Sequence, residues 1–86
     1  MKFIDSAVDK EHRFSIGKEA KSSKYYLSIP VSNCIADYEE YYEIAAEMHD
    51  AFPKNLPTLI LFAETCRKRL CDNLLLQSPG RNRGVG

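Results

Sequence analysis

The clearest pattern in the chain is an alternation of apolar and polar positions in its first half. In HRFSIG, Phe14 and Ile16 fall on one side and Arg13 and Ser15 on the other, and KYYLSIPV is rich in strand-forming residues. The residues GKEAKSS between them are typical of a turn, so we expect a hairpin. Because Pro30 cannot donate a backbone hydrogen bond, its strand should be an edge there or carry a bulge.

Residues 37–44, DYEEYYEI, predict a third strand. Alternation with a period of two puts one set of side chains on each face: Tyr38, Glu40, Tyr42 and Ile44 on the first, and Asp37, Glu39, Tyr41 and Glu43 on the second. A helix would also bring Tyr38 and Tyr42 to one side, but tyrosine and isoleucine at alternate positions favour a strand. We expect the first face to pack and the second to meet water, with Tyr41 laid across it.

The second half of the chain has helical spacing. AAEMHDAF predicts a short helix that ends before Pro53, and NLPTLILFAETCRKRL predicts a longer one. Its apolar face would hold Leu59, Ile60, Ala63, Cys66 and Leu70. NLLLQ, residues 73–77, predicts a central returning strand. The fold class is therefore α+β, a small antiparallel sheet of about four strands with two helices packed on one face.

Length and composition are those of a globular protein with one domain. The chain has 86 residues, 44% of them hydrophobic and 28% charged. We expect an α+β domain over residues 1–77 and a polar tail rich in glycine and arginine over residues 78–86. No apolar run is long enough for a membrane span, and the N-terminal residues lack the apolar core of a signal peptide. We therefore expect a cytoplasmic protein without membrane contact.

Charge is concentrated in one segment of a chain whose net charge is zero. Residues 37–50 carry six acidic residues and no lysine or arginine. Tyrosine is common at binding hot spots, and carboxylates around it would steer a basic partner. We predict a partner-binding surface formed by Asp37, Glu39, Tyr41, Glu43 and Glu47. A half-buried strand with a solvated acidic face is the alternative that the sequence leaves open.

No residue pattern predicts catalysis or metal binding. The three cysteines, Cys34, Cys66 and Cys71, lack the paired spacing of zinc ligands, and we expect reduced thiols, with Cys66 acting as a small hydrophobe. His49 should be a solvated surface residue with no nucleophile near it. Glu39 and Glu43 should point to solvent, which does not give the buried acid that glycosidase chemistry needs. We expect no cofactor, no metal and no enzymatic activity.

The chain resembles the small bacterial immunity proteins that protect a cell from toxins of the contact-dependent inhibition and Rhs types. The resemblance rests on the small size, the absence of a signal peptide, the α+β pattern and DYEEYYEI. In surface chemistry alone, this segment is similar to the acidic, double-tyrosine patch of the nuclease-colicin immunity proteins, which are all-helical. The resemblance implies a basic, nuclease-type toxin domain as the partner and brings no catalytic motif.

The alternative is a nucleic-acid-associated or regulatory module that uses a basic surface. Its contacts would come from the C-terminal part of the chain: Arg67, Arg69, Arg81 and Arg83. A nucleic-acid binder normally has a basic net charge, so the neutral total disfavours nucleic acid as a partner. Whether the chain forms a homodimer is left open by its sequence.

Overall fold

The computed structural model describes residues 2–32 and 37–77. In chain order its elements are the strands β1 (Phe3–Asp9), β2 (Phe14–Glu19), β3 (Tyr25–Ser32) and β4 (Asp37–Ile44), the helices α1 (Ala46–Asp50) and α2 (Leu56–Arg67), and a single 3₁₀ turn at Asp72–Leu74. The predicted α+β class is confirmed. The predicted tail, residues 78–86, lies outside the described residues, as does Cys34.

The four strands form one antiparallel sheet in the order β1-β2-β3-β4. β3 and β4 are in register along their whole length, from Tyr25 opposite Ile44 to Ser32 opposite Asp37. The predicted hairpin is present, and its turn is closed by hydrogen bonds between Glu19 and Lys24 or Ser23. DYEEYYEI forms β4 over the predicted residues.

The fourth strand is not the predicted one. It is β1 near the N-terminus, whereas the leucines of NLLLQ contribute only an isolated bridge between Leu75 and Tyr42 at the outer edge of β4. After α2 the backbone turns sharply, with a φ of 62° at Arg69, and then forms the 3₁₀ turn. This local winding leaves too few extended residues for a strand, so the prediction of a central strand at residues 73–77 is wrong.

The core lies between the sheet and the two helices. Phe14, Ile16, Leu27 and Tyr42 project from the strands, and α2 adds Leu59, Ala63 and Cys66, all of them buried. The alternation of β4 is as predicted, because Tyr42 and Ile44 are buried while Asp37, Glu39 and Glu43 are exposed. Glu40 is buried on the packed side and accepts a hydrogen bond from the Tyr42 hydroxyl (2.9 Å).

The predictions for Pro30 and Leu70 are decided by where the β2–β3 ladder and α2 end. β2 pairs with β3 only as far as Ser15 opposite Ser28, so Pro30 lies beyond that ladder and no donor is lost to β2. α2 ends at Arg67, and Leu70 is therefore 70% exposed instead of lying on the apolar face of the helix. Ile60 is half-buried against the core.

Candidate functional site on the open sheet face

The face of the sheet opposite the helices, which we call the open face, is built around three aromatic rings. The Tyr41 ring stacks on Phe3 with 3.6 Å between ring centroids and an angle of 8° between the planes. Both rings meet Tyr26 edge-on, at 5.0 and 5.3 Å. Tyr26 is fully buried although neither of the described helices covers this face. Tyr41 is therefore held in one position and is not laid loosely across the strand.

Gly17 makes the position of Tyr26 sterically allowed. A Cβ atom at residue 17 would lie 2.5 Å from the Tyr26 hydroxyl and would also collide with the Ile4 carbonyl. Because that space is empty, the Tyr26 ring lies across β2 and its hydroxyl donates to Asp5 on β1 (2.5 Å). Glycine is needed here for close approach and not for an unusual φ angle.

Asp5 and Glu39 form an acidic pair beside these rings. Burial, and then the charge of Asp5, raise the pKa of Glu39 above its usual value. Burial, and then the charges of Glu39 and Asp5, also raise the pKa of the Tyr41 hydroxyl. The Asp5 carboxylate is thus close enough to oppose the ionisation of Glu39, and a cation placed between the two would relieve that repulsion.

The structure brings four of the five predicted partner-binding residues onto one strand face. Asp37, Glu39 and Glu43 are exposed there, and Tyr41 is half-buried among them. Asp37 accepts a hydrogen bond from Ser32 (2.7 Å), and Glu43 makes only a long contact with Lys24 (3.9 Å). Glu47 lies in the first turn of α1 instead, beyond the end of the strand alternation.

Glu19 is an acidic residue of this face with a structural task. Its carboxylate accepts hydrogen bonds from the backbone N–H groups of Lys2, Lys21 and Ser22 at 2.9–3.0 Å. These bonds, with that of Lys21 first, lower the pKa of Glu19 to about 2. Glu19 therefore fixes the β2–β3 turn and the N-terminal residues, and it is not available to a ligand.

A groove of about 230 Å³ adjoins the acidic pair on the open face. Its walls include the apolar side chains of Val8 and Pro30, with Ser15 and residue Phe14 beside them. Glu39 on β4 and Arg13 at the start of β2 supply charges of opposite sign. Asp9 also lines it, but that carboxylate is engaged by the backbone N–H and ring Nδ1 of His12.

A second polar cluster joins α1 to β1. The His49 ring lies 2.9 Å from Ser6 through Nε2 and 2.9 Å from Asp50 through Nδ1, and it packs 4.4 Å from the Tyr25 ring. The prediction of a solvated histidine without a nucleophile nearby is therefore wrong, because the side chain is only 17% exposed. Residues 43 positions apart in sequence gave no signal of this contact.

The order Ser6–His49–Asp50 matches that of a serine hydrolase triad, but its surroundings do not. Ser6 is exposed and the Asp50 side chain is 69% exposed, so water competes for every hydrogen bond in the row. Triad catalysis depends on a base and oxyanion donors that are shielded from water. We interpret the cluster as a clasp that seats α1 against the bulge of β1 at residues 5–7.

The predicted basic contact residues do not form one surface in the described part of the chain. The Arg67 guanidinium donates to Glu64 and to the carbonyls of His12 and Arg13, each at 2.6 Å, and thereby ties the end of α2 to the β1–β2 turn. Arg69 is exposed. Arg81 and Arg83 lie outside the described residues, so the basic surface stays a prediction. Within it, the Arg67 guanidinium is already occupied by contacts inside the protein.

The thiols of Cys66 and Cys71 are free, and Cys66 is buried in the core as predicted for a small hydrophobe. Burial, and then the neighbouring Cys71, raise the pKa of Cys66, which disfavours the reactive thiolate. Within residues 2–32 and 37–77, no three side chains of His, Cys, Asp or Glu are grouped as a metal ion would require.

Sequence reasoning missed the contribution of β1 to the open face. Phe3 and Asp5 lie on the same face because they are two residues apart, but the bulge after Asp5 breaks the alternation of FIDSAVD. The alternation of Phe3 and Asp5 alone is too short to predict a strand. Tyr41 was predicted to lie on this face, but its stacking on Phe3 depends on the register across all four strands.

Comparisons with protein-family models, with curated proteins and with solved structures found no match to this chain. Neither helix in the described residues is long and apolar enough to cross a membrane. Functional conclusions therefore rest on the geometry of the open face.

Proposed function

We propose that this chain is a non-enzymatic, cytoplasmic binding protein that neutralises a basic, nuclease-type toxin domain through its open face. The observation that carries the proposal is the exposure of Asp37, Glu39 and Glu43 around an immobilised Tyr41, on the sheet face that the helices leave uncovered. A ring held in place before binding loses little entropy when a partner covers it.

The electrostatics of the open face favour a basic partner. Asp5 adds a fourth carboxylate that the sequence did not place there, and its charge acts on both Glu39 and Tyr41. A cationic surface would be steered toward this face and would lower the repulsion between the carboxylates. The commitment of Arg67 to backbone carbonyls disfavours the alternative of a nucleic-acid-binding surface at the end of α2.

The experiment is a growth-protection and binding assay against the protein encoded directly upstream of this gene. We expect co-expression to protect cells from that protein, and Tyr41→Ala to weaken binding by about 2 kcal/mol or more, as at a hot spot. Glu39→Lys with Glu43→Lys should slow association and reduce its dependence on salt.

Glu11→Lys is the control for Glu43→Lys alone, because it makes the same charge change at an exposed residue away from β4. This variant should bind and protect normally. If the β4 reversal protects as well as the control does, the open face is not the interface. Binding to nucleic acid that weakens steeply with salt would favour the alternative function instead.

A further inference from the structure

The groove on the open face has charges of opposite sign that no residue of the described chain satisfies. The Glu39 carboxylate makes no ion pair or hydrogen bond within residues 2–32 and 37–77, and the same is true of the Arg13 guanidinium and the Lys10 ammonium. By contrast, the Asp9 carboxylate in the same groove is fully engaged by His12. The groove therefore presents one available carboxylate and two available cations.

The available charges lie on different sides of the groove. Arg13 directly precedes β2, Lys10 directly follows β1, and Glu39 is on β4. β3 runs between β2 and β4, which separates their backbones by two strand spacings, or about 10 Å. Between these ends lie the apolar side chains of Val8 and Pro30 and the polar side chain of Ser15.

The charge of Asp5 indicates which end of a bound ligand would lie at Glu39. Asp5 adds to the negative field at Glu39, so this end favours a cation over any neutral donor. Arg13 and Lys10 favour a carboxylate at the other end, and a guanidinium can bind it with two parallel hydrogen bonds.

A buried polar group beside the groove also lacks a partner among the described residues. The Ser28 hydroxyl is buried and makes no hydrogen bond with the described residues. It lies directly across from Ser15 and two residues from Pro30, both of which line the groove. Buried hydroxyls are nearly always satisfied, so a water molecule or a ligand atom is expected near this point.

We propose that the groove binds a small zwitterion, with its cationic group on Glu39, its carboxylate on Arg13 and Lys10, and a methylene chain against Val8 and Pro30. Free lysine, free arginine and ω-amino acids belong to this class. The volume of about 230 Å³ suits a ligand of the size of one amino acid. This ligand site shares Glu39 with the proposed toxin-binding surface, but its other contacts, Arg13 and Lys10, lie outside that surface.

The test compares three probes that differ only in their charged ends: 6-aminohexanoate, hexylamine and hexanoate. Binding is followed by NMR chemical shifts of the backbone amides of Val8, Ser15 and Glu39, at low ionic strength because salt screens exposed charges. We expect 6-aminohexanoate to bind about tenfold more tightly than either probe with one charge, which is the ratio for the loss of one good charged contact.

Two substitutions separate the ends of the site. Glu39→Gln should remove the advantage of 6-aminohexanoate over hexanoate, and Arg13→Gln should reduce its advantage over hexylamine. Glu11→Gln and Lys54→Gln remove single exposed charges outside the groove and should leave all three affinities unchanged. Melting curves show that each variant is folded.

Three results would overturn the proposal: equal binding of the three probes, shifts confined to residues outside the groove, or equal effects of the groove and control substitutions. A failure of this kind leaves the proposed toxin interface standing, because that interface is tested by Tyr41→Ala and by protection. Conversely, if the parent protein binds the zwitterion as expected and Tyr41→Ala with the β4 charge reversal still protects fully, the groove is supported and the toxin interface is contradicted.

Discussion

The two faces of the sheet are stabilised in different ways. On the helix face, Leu27, Ile29 and Tyr42 are fully buried under α2, and Glu40 is the one buried charged side chain of this face among the described residues. On the open face, burial of Tyr26 depends on a glycine, a carboxylate and two other rings. The packing of the helix face can be explained by the burial of apolar side chains. The packing of the open face also requires particular residues at particular register positions.

Tyr42→Ala should have the largest effect of the changes considered. It removes a buried ring from the core and leaves the Glu40 carboxylate without its hydroxyl donor, at a cost of about 3–5 kcal/mol in the free energy of unfolding. Tyr41→Ala on the open face should cost about 1–2 kcal/mol, mainly the stacking on Phe3. Urea denaturation of both variants measures the difference, and equal costs would show that the two faces are equally important to the core.

Gly17→Val tests whether the open face depends on close approach. The added side chain displaces the Tyr26 ring and its hydrogen bond to Asp5, and we expect a loss of about 1–3 kcal/mol. Gly17→Ala should lose less, and both should change the near-ultraviolet circular dichroism of the tyrosines. A variant as stable as the parent, with the same spectrum, would contradict the position of Tyr26.

Glu19 should make the stability of the protein depend on pH. The folded-state pKa of about 2 is below the reference value of 4.5, so the ionised carboxylate stabilises the fold above pH 4.5 and this stabilisation is lost as the pH falls toward 2. Glu19→Gln should therefore melt at a lower temperature than the parent at pH 7, and the gap should narrow in acid. A gap that is constant from pH 7 to pH 2 would rule out this linkage.

The contribution of Glu39 to stability should depend on pH in the opposite direction to that of Glu19, and its effect should be the smallest of those predicted. Its pKa is raised in the folded state, so its protonated form favours folding and stability falls as the pH rises through that pKa. Because the side chain is exposed, we expect Glu39→Gln to raise stability at pH 7 by no more than about 0.5 kcal/mol. Thermal melting at pH 7 and pH 4 measures it, and a clear loss of stability at pH 7 would contradict the repulsion from Asp5.

The faces of β4 could be predicted from the sequence because one buried and one exposed side impose a strict period of two. The strand β1 could not, since its bulge near Ser6 interrupts that period. The clasp of His49 on Ser6 and the hydrogen bonds of Arg67 to the β1–β2 turn connect residues 43 to 55 positions apart, and such contacts have no local signature. For the candidate site, Tyr41, Glu39 and Glu43 were identified, but the groove and Asp5 depend on strand order.

The bulge in β1 also affects what can happen at the edge of the sheet. A flat edge strand offers a regular row of backbone donors and acceptors to another chain and thereby promotes aggregation. In β1 the register shift between Asp5 and Ala7 breaks that row, and His49 occupies the Ser6 side chain at the same point. The bulge therefore makes β1 a poor template for an intermolecular strand, and we expect a variant with a regular β1 to be less soluble at high concentration.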